Sequence, residues 1–86
     1  MPRFIAEHTL PYSEAEFLEM AKTMTPQIPE GFNWKLTYCD FDNHKYFCEW
    51  DAPSKDALDQ AFKANEMPYD AIYPVKLFDV GKATFE

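Results

Sequence analysis

Positive charge is scarce in this chain: eight Lys and Arg stand against fifteen Asp and Glu, a net charge of −7. A surface of that sign repels phosphate backbones and anionic lipid, which argues against nucleic-acid binding and membrane-surface binding. No apolar run reaches the length of a membrane span, and the stretch Met1–His8 lacks the apolar core of a signal peptide. A cytoplasmic location is expected, where the two cysteines, Cys39 and Cys48, stay reduced. They lie too far apart for a CxxC redox motif. With two histidines and two glycines there is no dense His cluster and no Gly-rich phosphate loop, and no Ser-His-Asp order is present. Nothing here spells out an enzyme, and a non-enzymatic protein is the expectation.

Aromatic residues, by contrast, are plentiful. Eighty-six residues make a single domain, 1–86, and eight Phe, five Tyr and two Trp make up 17% of it. A domain of this size buries only about 60–65% of its unfolded surface. Packing so many rings inside one such chain is hard, and the excess points to a buried subunit interface.

Arg3–Thr9 reads as a strand with apolar members on both faces, Phe4 and Ala6 on one and Ile5 on the other. Ser13-Glu14-Ala15-Glu16 is a capping box, followed at helical spacing by Phe17, Met20, Ala21 and Met24. Thr25-Pro26 ends that helix. From Phe32 the period changes to two: Phe32, Trp34, Leu36 and Tyr38 share one face, and Asn33, Lys35 and Thr37 the other. One wet face implies an edge strand. A turn centred on Asp42-Asn43 pairs Asp40 with Lys45 and Tyr38 with Phe47, whereas a one-residue shift sets Cys39 opposite Cys48; the first register is preferred. The third strand, Lys45–Asp51, runs into Pro53-Ser54, where Ser54 caps a second helix carrying Ala57, Leu58, Ala61 and Phe62 and ending near Asn65. The last strand spans about Ala71–Val80, and Pro74 places it at an edge. Gly81–Glu86 is expected to be loose or to extend across a partner.

The order strand, helix, strand, strand, helix, strand, joined by right-handed crossovers, gives an α+β class: a ferredoxin-like βαββαβ split βαβ with a four-stranded antiparallel sheet. Strands one and three are central, and they are expected to run parallel. Both helices cover one face. The other keeps Trp34, Leu36, Tyr38 and Phe47 with nothing in the chain to cover them, so a homodimer closing face to face into a dimeric α+β barrel is expected.

MPRFIAEHTLP, YFCEWDAPSKDAL and MPYDAIYPV, in this order and spacing, resemble the small bacterial ferredoxin-like proteins that include nickel-binding members and many of unassigned function. The resemblance spans most of the chain. It implies the dimeric fold already derived, and Ni²⁺ or another divalent transition metal as ligand. His8 matches that family's first-strand histidine and Cys48 the cysteine of its third strand. Nickel-binding members also carry histidines on their helices, and the corresponding positions here hold Lys22 and Ala61.

The candidate metal ligands are therefore His8 and Cys48, with Glu49 or Glu7 completing a sparse N/S/O set. The plain readings stand beside this one. A free cysteine is commonly a small buried core residue, and a strand-end histidine commonly bonds backbone or solvent. His44, with Asp40 and Asp42, belongs to a solvated turn. The alternative function is a small-molecule-binding or monooxygenase/isomerase-like barrel, with an aromatic pocket lined by Trp34, Tyr38 and Phe47.

Overall fold

The computed structural model describes residues 1–86. In chain order it holds β1 (Arg3–Thr9), α1 (Glu14–Met24), a 3-10 turn (Thr25–Gln27), β2 (Asn33–Asp40), β3 (Lys45–Asp51), α2 (Lys55–Ala64), β4 (Ala71–Val75), β5 (Phe78–Asp79) and β6 (Thr84–Phe85). The four long strands form one sheet in the order β2-β3-β1-β4. This is the ferredoxin-like α+β arrangement, with β2 and β4 at the edges as their sequences require.

All pairings in that sheet are antiparallel, β1 with β3 included, and this corrects the expected parallel pair. The reason is topological. In a split βαβ the crossover makes β1 parallel to β2, and β3 fills the gap between them as the return strand of a hairpin. The hairpin keeps the preferred register: Asp40 faces Lys45, Tyr38 faces Phe47, and Cys39 faces Tyr46 rather than Cys48. Both cysteines are free. The positive φ that closes the turn falls on His44, at 56°, rather than on Asp42 or Asn43.

The two helices differ in how they are held. Each starts where its cap predicts. Ser13 Oγ accepts from the Glu16 amide at 3.2 Å while the Ser13 amide donates to Glu16 Oε1 at 2.9 Å, and Ser54 Oγ accepts from the Ala57 amide at 3.0 Å. Helix α2 sinks Leu58 and Phe62 into the core beside Phe4, Ala6, Trp50 and Ile72. Full burial of such a side chain stabilises by about 1.5–3 kcal/mol. Helix α1 has no fully buried residue. It rests on the sheet through half-buried Phe17, Met20 and Met24, with Phe17 stacked on Tyr46 at 5.1 Å.

One feature of β2 is absent from its sequence pattern. The ladder pairs Trp34 with Trp50 and then Leu36 with Glu49, so Lys35 is an extra residue, a β-bulge. The bulge resets the alternation. Trp34 faces the helices, stacked on Trp50 at 5.9 Å, whereas Leu36 and Tyr38 face the other way with Phe47. The expectation that Trp34 shares a face with Leu36 and Tyr38 is thereby corrected. The chain's end differs too. The last sheet strand stops at Val75, and residues 78–85 fold into the small β5–β6 hairpin, with Phe78 and Phe85 edge to face at 5.0 Å.

Candidate metal-binding cavity

Alternation along β1 and β3 decides what faces the helices. Phe4, Ala6 and His8 do so from β1, and Tyr46, Cys48 and Trp50 from β3. His8 pairs directly with Tyr46 and Ala6 with Cys48, so His8 and Cys48 are diagonal neighbours on one face of adjacent strands. Such neighbours stand about 7–8 Å apart, within reach of a shared small ligand. Both line an apolar cavity of about 50 Å³ between sheet and helices, to which α1 contributes Met20 and Met24, α2 Ala61, and the following loop Met67.

His8 is 3% exposed. Its Nδ1–H donates to the Pro68 carbonyl at 2.7 Å. A carbonyl only accepts, so the proton sits on Nδ1 and the neutral ring keeps its lone pair on Nε2. Burial lowers the pKa below the usual 6.5, outweighing the Pro68 bond and the charge of Asp70. The ring also meets Phe62 edge to face at 5.3 Å. The imidazole is thus oriented and unprotonated, the state in which a histidine ligates a metal.

Cys48 is buried, and its thiol is pushed up to about 11 by desolvation, against a hydroxyl bond from Thr37 that pulls the other way. Thr37 Oγ1 donates to Cys48 Sγ at 3.1 Å and accepts from Trp34 Nε1 at 2.8 Å. The resting group is a thiol with a positioned donor at its sulfur, not a reactive thiolate.

Glu49 and Glu7 are on the wrong side of the sheet. Glu49 Oε2 lies 3.4 Å from Arg3 Nε and 3.9 Å from Lys35 Nζ. Glu7 lies 3.1 Å from Lys45 Nζ. Each sits next to a cavity residue in its strand, and a strand sends neighbours to opposite faces. Nowhere do three His, Cys, Asp or Glu side chains gather as a metal site would need. The proposed aromatic pocket is likewise not assembled, because Trp34 lies inside and Tyr38 and Phe47 lie on the open face. Ala61 does face the cavity, whereas Lys22 points to solvent beside Glu19. Thr37 and Pro68, which hold Cys48 and His8, carry no motif of their own in the sequence. The hairpin register already placed Thr37 opposite Cys48, but nothing local marks Pro68 as the partner of His8.

A family model described as nickel responsive protein SCO4226-like matches residues 4–75. The chain belongs to the SCO4226-like family. Among solved structures, the crystal structure of SCO4226 from Streptomyces coelicolor A3(2) superposes with a TM-score of 0.72 at 18% identity, covering 87% of this chain and 96% of that one. At that identity it supports the fold alone. No curated protein gave a significant match. The β5–β6 hairpin lies outside the matched residues. No helix is long and apolar enough to cross a membrane.

Proposed function

We propose that this chain is a non-enzymatic, cytoplasmic, homodimeric protein that takes a transition-metal ion between His8 Nε2 and Cys48 Sγ. The observation that carries the reading is the convergence of these two donors on one cavity, with the imidazole held by Pro68 in its ligating tautomer. The family's description as nickel responsive supports a relation to metal. It also makes Ni²⁺ the first ion to test.

The donors present do not complete a nickel site. Square-planar Ni²⁺ takes a full set of N, O or S ligands, and the cavity offers one imidazole, one thiol and no carboxylate. Homodimer formation would use the open sheet face, where Leu36, Tyr38, Phe47 and Tyr73 are exposed. Calorimetric titration with Ni²⁺ tests the reading. We expect a weak, saturable signal that His8→Ala and Cys48→Ala each abolish. Binding left unchanged by both substitutions would overturn these donors.

A further inference from the structure

The side chains around His8 and Cys48 favour a different kind of ion from a divalent one. Where α1 and the loop after α2 approach the pair they bring methionines, whereas α2 itself brings Ala61 and Phe62. Met20 and Met24, four residues apart on one face of α1, line the cavity, and Met67 lines it from the loop whose next residue holds His8. Gln27 and Asn65 also line it, each with its amide nitrogen spent on a backbone carbonyl, that of Thr23 and of Ala61. Besides their two amide oxygens, the potential donors are one imidazole nitrogen, one cysteine sulfur and thioether sulfurs, so sulfur predominates. Thiolate and thioether ligands select soft ions such as Cu(I).

Charge balance points the same way. No carboxylate lines the cavity, and Glu7 and Glu49 are turned to the opposite face, committed to Lys45, Arg3 and Lys35. With Cys48 deprotonated as the only anion, a divalent ion keeps a net positive charge among Phe17, Trp34 and Phe62, which is costly. A monovalent ion leaves the site neutral. Size agrees as well: about 50 Å³ is too small for a ring-sized organic ligand, since a cavity that accepts benzene measures about 150 Å³.

We propose that the cavity binds one cuprous ion, held by His8 Nε2, Cys48 Sγ and the thioethers of Met20 and Met24. The inference rests on the reading of His8 and Cys48 as metal donors. Binding forms a Cu–Sγ bond as the thiol proton leaves to solvent, and the copper stays Cu(I) throughout.

The test is anaerobic titration of the full chain with Cu(I) against a colorimetric cuprous chelator, alongside Ni²⁺ calorimetry. The set comprises wild type, His8→Ala, Cys48→Ala and the double variant Met20→Leu/Met24→Leu, whose swaps conserve volume. We expect one Cu(I) per chain, bound more tightly than Ni²⁺. The methionine variant should lose at least about ten-fold in Cu(I) affinity, the low end of what removing even an outer-shell partner costs. Should that variant fold poorly, ¹³C-methyl spectra of wild type decide instead. Ag(I), the redox-inert analogue, should shift the Met20 and Met24 methyl signals in a single 1:1 step, and unmoved signals would overturn the proposal. Unchanged Cu(I) affinity in a folded methionine variant, or tighter Ni²⁺ than Cu(I), would overturn the thioether site while leaving the His8–Cys48 reading standing. Binding of both ions that ignores His8→Ala and Cys48→Ala would remove both.

Discussion

His8 carries a pH signature that belongs to the single residue. Its folded pKa lies below the ordinary 6.5 because burial disfavours the imidazolium more than the Pro68 carbonyl and Asp70 favour it. The unfolded chain therefore takes up a proton first on acidification, and the sign follows from linkage. The contribution is flat above about pH 6.5 and destabilises as pH falls from there toward the lower folded value. Urea unfolding of the metal-free protein between pH 7.5 and pH 5 should show this loss, and His8→Gln should flatten it by removing the titrating ring; equal slopes for the two proteins would refute the assignment. At this scale the sequence was informative about identities and misleading about company. His8 and Cys48 were recognisable and do share a cavity. Glu49 is next to Cys48 in sequence, and in a strand that adjacency puts the two on opposite faces. Thr37 was legible by the same rule, since pairing Tyr38 with Phe47 leaves Thr37 opposite Cys48. Pro68 was not, because its link to His8 spans sixty residues and depends on how the α2–β4 loop settles.

The elements are unequally anchored, and not through their caps, since both helices start on a serine and the fuller capping box belongs to α1. Helix α2 is nailed down by Leu58 at 0% exposure and by Phe62, and α1 by no fully buried side chain. Amide exchange should therefore be faster through Phe17–Met24 than through Leu58–Phe62, because local opening of α1 exposes less apolar surface. Leu58→Ala should cost about 2–5 kcal/mol in denaturant unfolding and erase the contrast by destabilising the whole sheet-and-helix unit. Equal protection of the two helices in the wild type would contradict this account. Helix starts were readable because Ser13 and Ser54 are specific chemical signals. The bulge was not readable, because Lys35 is an ordinary residue that also suits a regular strand. Nor was the early end of β4, since Lys76 and Leu77 continue the strand-like alternation past Val75.

For the whole molecule, most of the aromatic excess divides between two places, apart from the Phe78–Phe85 pair of the terminal hairpin. Phe17, Trp34, Phe41, Tyr46, Trp50, Phe62 and Tyr69 interlock on the helix side within one chain. Tyr38, Phe47 and Tyr73 stay exposed on the open face, among ion pairs such as Arg3–Glu49 and Lys45–Glu7. Composition alone over-counted the residues that need a partner, because it could not see how many rings the helix side absorbs. The remainder still forms an uncovered patch. If a second copy covers it, Phe47→Asp should convert a dimer to a monomer in sedimentation, with little change in unfolding of the isolated chain, since Phe47 is already 37% exposed there. A wild-type monomer at high concentration would remove the dimer. The unpaired Lys35 has a genetic corollary. Because Trp34 already faces Trp50 and Leu36 already faces Glu49, an in-frame loss of codon 35 would leave a regular ladder with every other side chain on its present face. Loss of codon 37 or 38 instead draws Lys35 into the ladder and turns Leu36 to the helix face, opposite Cys48. Relatives one residue shorter in this strand should carry their gap at position 35.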